Sequence, residues 1–169
     1  MAYRSEKNCS SARRVEMDVQ VSMPTDEDGF VRRECPSCKR HFKWHDGPAN
    51  EEAESKAAPP SYYCPLCGEP APVDEWFTQE QVDHVRGTAM PTLVRELQRE
   101  MKDAFRSSRR SGIRFEVGNG DVPDVPAALI EPNDMQIVAS PCHPYEPIKV
   151  PDVMAGPFHC LICGGQFAV

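Results

Sequence analysis

The chain has 169 residues, of which 17 are proline, 10 glycine and 8 cysteine, with 40% hydrophobic and 8% aromatic residues. That is room for one ordinary domain or two small ones, which excludes a large multidomain enzyme and leaves a core thin enough to need bracing by a metal or disulfides. The formal charge of -7 argues against whole-surface attraction to nucleic acid, so any phosphate contact would need a local basic patch.

Residues 1–14 are polar and patternless and are expected to form a mobile arm. Their basic residues lead into no apolar run, and no stretch approaches ~20 apolar residues, so neither a secretory signal nor a membrane span is expected. A soluble, cytoplasmic protein follows as the expectation. Val15, Met17, Val19 and Val21 alternate along a strand, PTDEDG makes a turn, and Phe30 and Val31 open a second strand running into Cys35. These strands read as a hairpin. Between Trp44 and Ser61 there is no apolar side chain larger than alanine except proline, which predicts a flexible, solvated loop over residues 45–61.

Thr78 and Gln81 form a capping-box pattern at the head of a predicted helix. Val82, Val85, Ala89, Leu93, Leu97, Met101 and Phe105 follow at steps of three or four, one apolar stripe reaching to about residue 107. Pro91 is expected to kink or restart the helix. Beyond it, GIRFEV, MQIVAS, PIKV and FHCLICGGQFAV read as short strands. The chain therefore divides into the arm, a metal-binding domain over 15–77, an amphipathic helical segment over 78–110 and a β-rich module over 111–169. There is no exact internal repeat, although the cysteines suggest two related modules.

Cys35-Pro-Ser-Cys38 and Cys64-Pro-Leu-Cys67-Gly68 are two CxxC pairs. Two residues between cysteines let a tight turn aim both thiolates at one ion, and two such knuckles complete a tetrahedron with no open position. Proline after the first cysteine and glycine after the second suit the turn; Lys39 stands where glycine is common. A pair of redox or merely buried cysteines is the blander reading, and neither pair has the βαβ setting of a thioredoxin-like motif. Over roughly residues 15–77 the chain resembles the zinc-ribbon group of folds, and YYCPLCGEP is similar to a rubredoxin knuckle. The resemblance implies a structural zinc ion, with iron as the alternative. Cys160-Leu-Ile-Cys163-Gly164 repeats the pattern, with Cys142 as a third ligand and His143 as the fourth, ahead of His159 and Cys9, because Tyr145 occupies the place a full knuckle would give to cysteine. The expectation is one zinc ion at the first set; at the other, a second zinc ion and a decayed ribbon whose three cysteines are merely small buried residues are the alternatives.

Arg32, Arg33, Lys39, Arg40 and Lys43 surround the first knuckle and are candidates for phosphate contact. On a strand, Phe42 and Trp44 share one face while His41, Lys43 and His45 share the other, so one face would pack and the other present positive charge to solvent. Arg106, Arg109 and Arg110 could extend such a patch. The phosphate-cradling loop, HExxH, GxSxG and EF-hand patterns are all missing, and a closed four-ligand site has no place for substrate. Only a C-terminal ion held by Cys142, Cys160 and Cys163 alone would admit catalysis. The sequence thus predicts an α+β protein: a zinc ribbon, a long amphipathic helix, and a small β-rich module like a second, degenerate ribbon. Its expected role is a non-catalytic adaptor that recruits a protein partner, with a homodimer through helix 78–107 as one outcome. Nucleic-acid binding and a rubredoxin-like iron electron carrier are the alternatives.

Overall fold

In a computed structural model the described residues are 21–108 and 121–168. The expected arm, the strand residues 15–20, Cys9, Arg109, Arg110 and GIRFEV lie outside them, as do the side chains of Phe105 and Arg106. The fold is α+β: one long helix and small antiparallel sheets.

The PTDEDG turn forms around Asp26, whose Oδ1 accepts from the N–H groups of Asp28 (3.1 Å) and Phe30 (3.0 Å). This Asx geometry, with Gly29 at φ 83°, launches β1 (Phe30–Glu34). The partner of β1 is β2 (His41–His45), so the hairpin closes across the first knuckle. The connection 46–60 contains one helical turn, α1 (Glu51–Glu54), capped by Asn50 through Oδ1 and the Ala53 N–H at 2.9 Å. It is not the wholly solvated loop expected. Ala53 is buried, and Asn50 Nδ2 donates to the Tyr145 carbonyl, so a small residue and an amide anchor a stretch with no large apolar side chain. Next come β3 (Ser61–Tyr63), β4 (Pro70–Pro72), a 3-10 turn (Val73–Glu75) and α2 (Gln79–Ser108).

The capping box is present, with Thr78 N–H donating to Gln81 Oε1 and Gln81 N–H to Thr78 Oγ1, both at 3.1 Å. Gln81 also donates to the Arg32 carbonyl, fastening the head of α2 to β1. The helix runs as one element through buried Pro91, so of the kink or restart expected there the restart is absent. At Gly87 a Cβ would meet the Pro126 ring at 3.0 Å, so the helix runs close to this proline there. Of the apolar stripe, Val82 and Ala89 are half-buried while Val85, Leu93, Leu97 and Met101 remain exposed, so among the described residues most of it is not a packing surface.

After α2 follow β5 (Met135–Val138), β6 (Ile148–Pro151), β7 (Phe158–His159) and β8 (Gln166–Phe167). The main sheet has the order β1-β2-β6-β5, while β3-β4 and β7-β8 are separate hairpins. One sheet therefore draws two strands from 15–77 and two from 111–169. Its centre is the antiparallel pair Lys43↔Lys149 and Trp44↔Ile148. Around that pair the molecule repeats itself by an approximate two-fold rotation. Tyr63 N–H donates to the Leu161 carbonyl (2.8 Å), and His159 N–H to the Pro65 carbonyl (2.9 Å), each residue preceding its knuckle and reaching the second residue of the other. A Cβ at Gly68 would strike the His159 ring at 2.9 Å; one at Gly164 would strike Tyr63 at 2.6 Å. Both halves feed one core, in which Phe42, Trp44, Trp76, Ile148, Val150, Phe158 and Leu161 meet.

Candidate metal centres

Each CxxC turn closes through the same two backbone hydrogen bonds. Lys39 N–H donates to Cys35 O (2.9 Å) and Cys35 N–H to Arg40 O (3.0 Å); Gly68 and Cys64, then Gly164 and Cys160, repeat the arrangement at 2.8–2.9 Å. The residue after the second cysteine takes a positive φ in all three, 59° at Lys39, 79° at Gly68 and 70° at Gly164. Glycine is required at 68 and 164 because an aromatic ring of the other half lies against it. Lys39 tolerates the same backbone at a cost of about 1 kcal/mol, since its side chain points to solvent.

The turns bring Cys35, Cys38, Cys64 and Cys67 together, with all four sulfurs within 4.8 Å of one another. Cys35 and Cys67 are 3.7 Å apart and Cys38 and Cys64 3.8 Å. A tetrahedron with metal–sulfur bonds of about 2.3 Å has edges of about 3.8 Å. A disulfide would demand about 2.05 Å, so the spacing fits a shared ion and not a covalent pair. Burial opposes ionisation of Cys38, yet the Arg40 guanidinium and N–H donors bring its thiol down to about 6. Burial pushes the Cys64 thiol up. Arg40 therefore serves this cluster: its Nε donates to Cys38 Sγ (3.5 Å) and its Nη2 to the Leu66 carbonyl.

The second cluster consists of Cys142, His143, Cys160 and Cys163, again within 4.8 Å. Cys142 Sγ lies 3.5 Å from Cys163 Sγ, and His143 Nδ1 lies 3.3 Å from Cys160 Sγ. His159 is elsewhere, packed on Gly68. Strand register shows how adjacent Cys142 and His143 both reach the cluster. Phe30↔His45 in the first hairpin corresponds to Met135↔Pro151 in the second, which carries Cys35 onto Ser140, Pro36 onto Pro141 and Cys38 onto His143. The knuckle is thus Ser140-Pro-Cys-His143, and His143 N–H donates to Ser140 Oγ (3.2 Å) as Cys38 N–H does to Cys35 Sγ (3.4 Å). Cys142 takes the place of Ser37 and supplies the donor that serine at 140 lacks. Burial opposes ionisation of Cys160, but the Ser140 hydroxyl, at 3.2 Å from its sulfur, and the N–H groups of Cys163 and Ile162 lower its thiol to about 6. Ser140 escapes a search for cysteine spacing; the signal that finds it is the shared proline in ECPSC and ASPCH.

Both clusters fit zinc-ribbon-like knuckles, and each offers four soft or borderline donors able to hold a metal ion. No protein-family model, curated protein or solved structure matches the chain.

The basic residues near the first knuckle do not form one exposed patch. Lys43 is fully buried, donating to Asp26 Oδ2 (3.0 Å) and paired with Glu131 (2.8 Å) and Asp134 (3.0 Å). Arg32 pairs with the same Glu131 and Asp134. The expectation of a positive, solvent-facing strand surface fails because β2 is central in its sheet and the second face is covered by these acids. Phe42 and Trp44 are core residues, as one reading of the sequence had it. Arg33 lies between the Trp44 and Phe77 rings. Lys39 and Arg40 are the exposed ones, Lys39 lying 3.5 Å from Glu34 and Arg40 turned onto Cys38 Sγ and the Leu66 carbonyl. Among the described residues no helix is long and apolar enough to cross a membrane.

Proposed function

We propose that the protein is a non-catalytic zinc-binding adaptor holding two structural ions, one on Cys35, Cys38, Cys64 and Cys67 and the other on Cys142, His143, Cys160 and Cys163. The observation that carries the reading is the pair of closed, four-donor clusters, the first with sulfur spacings of 3.7 and 3.8 Å. Bound zinc would cross-link strands whose apolar core is small and leave no coordination position for water or substrate. The donor spacing suits iron also. Metal analysis of the purified protein decides: two zinc ions per chain in a colourless preparation are expected, whereas a red preparation rich in iron would replace this reading with an electron carrier.

The intramolecular pairing of Arg32 and Lys43 supports a protein partner over nucleic acid, because these cations already have carboxylates. A binding assay at two salt concentrations checks this, with no nucleic-acid binding expected even at low salt. The exposed stripe of α2 is a further contact surface, suited to a second copy or a partner helix, and sedimentation equilibrium tests the former.

A further inference from the structure

Neither metal centre explains a groove of about 740 Å³ that is lined by Arg33, Trp44, Tyr62, Phe77, Tyr145 and Glu146. Part of its wall is the connection 46–60 between β2 and β3. In the other half, β6 reaches β7 through residues 152–157 alone, so the longer connection is an insertion that the knuckles do not need. Asn50 holds it to the Tyr145 carbonyl, and Lys56 lies over the Tyr145 ring at 5.4 Å. Long surface connections fixed to a rigid sheet are where binding residues collect.

Arg33 is the second departure from symmetry. Register places it at the position held by buried Val138 in the other half, so the sheet itself requires no charge there. Its guanidinium is stacked 4.6 Å from the Trp44 centroid and 5.0 Å from that of Phe77. Nε is buried without a hydrogen-bond partner, and among the described residues no carboxylate lies within ion-pair distance. Burial pushes its pKa down, and Asp46 offsets this only through its field. The carboxylates lining the groove, Asp74 and Glu146, are not paired with it, and Asp74 is exposed. A guanidinium stays charged, so among the described residues Arg33 brings to the groove a cation with no carboxylate in contact. With its flat faces against rings, the N–H edge is what Arg33 has left to offer, a fork that matches a carboxylate.

We propose that this groove docks an extended, proline-containing peptide segment of a partner protein, with a carboxylate of that segment held by Arg33. Aromatic-lined grooves suit proline because its preset extended conformation loses little entropy on docking and its ring packs flat on Trp and Tyr. The molecule's own Ala57–Pro60 stretch already forms part of the rim. The inference rests on the adaptor reading and names the partner's chemistry.

The test uses the full-length, metal-loaded chain and fluorescein-labelled peptides of alternating alanine and proline carrying one glutamate, glutamine or lysine, plus an all-alanine glutamate peptide, read by anisotropy. The glutamate peptide is expected to bind saturably and about tenfold more tightly than the glutamine peptide. Arg33→Gln removes that difference and leaves the glutamine peptide unaffected; Arg33→Lys, which keeps the charge and loses the fork, removes most of it. Tyr145→Ala weakens every proline peptide. Circular dichroism and metal content verify that each variant is folded. Preference for lysine, equal binding of the all-alanine peptide, a glutamate preference that survives Arg33→Gln, or no saturable binding up to millimolar peptide would each overturn the proposal. A purified partner that binds wild type and Arg33→Gln equally would overturn the groove assignment while leaving the adaptor reading in place.

Discussion

Asp26 connects the start of the sheet to its centre. One carboxylate caps the turn before β1 and accepts from both buried lysines, Lys43 at 3.0 Å and Lys149 at 2.8 Å, which the two-fold relation places side by side. Asp28 and Asn133 complete the shell of Lys149, at 2.6 and 2.7 Å. Burial opposes ionisation of Asp26, but the lysine donors and the Phe30 N–H hold its carboxyl down to about 2, against 3.8 for a free aspartate. Because the folded value is the lower one, the stabilisation is complete above the unfolded pKa and is lost as pH falls from there toward 2. It amounts to about 2 kcal/mol. Urea unfolding from about pH 5 down to about pH 2 is expected to show this loss in the wild type and not in Asp26→Asn. At neutral pH Asp26→Asn should cost about 3–5 kcal/mol, since it leaves two buried ammonium groups short of a charge partner. A cost below about 1 kcal/mol would mean that the cluster is better hydrated than its burial implies.

At the scale of elements, the knuckle is one backbone device used three times with a full CxxC and once as Ser140–His143. Its side chains are interchangeable only where the donors still meet. Cys142→Ser should therefore lower bound metal from two ions to one, with the first centre intact, as mass spectrometry under native conditions would show. Ser140→Ala should retain both ions and bind the second less tightly, because the hydroxyl only supports the Cys160 sulfur. The head of α2 gives an independent check. Thr78→Ala removes the hydroxyl that accepts the Gln81 N–H and is expected to cost about 1 kcal/mol in thermal or urea unfolding. The capping box was legible in four consecutive residues because it is a local device. The fate of the apolar stripe was not, since periodicity reports that a face exists and not what covers it.

For the molecule as a whole, the halves are joined by β2 and β6, yet their metal centres differ in exposure. Cys35 and Cys64 are fully buried, whereas Cys142 and Cys163 are exposed. A chelator should accordingly strip the C-terminal ion first, giving two kinetic phases of metal release, with Cys142→Ser abolishing the faster one. Release in a single phase would show that the shared sheet couples the centres. The sequence by itself determined the thiolate turns, the capped helix and the PTDEDG turn, because each is specified by residues within one or two turns of chain. It also carried Cys142, His143, Cys160 and Cys163 as a set, by analogy of spacing. Only the tertiary structure decided that Lys43 is buried, that Arg40 faces sulfur, that Arg33 lies between two rings, and that the two halves form one sheet. The first and last of these depend on pairings separated by about a hundred residues, such as Lys43 with Lys149 and Arg32 with Asp134, and the other two on contacts with Leu66 and Phe77 further along the chain. A charged residue next to a knuckle reads the same in sequence whether its partner is solvent or a carboxylate brought from the far end of the chain.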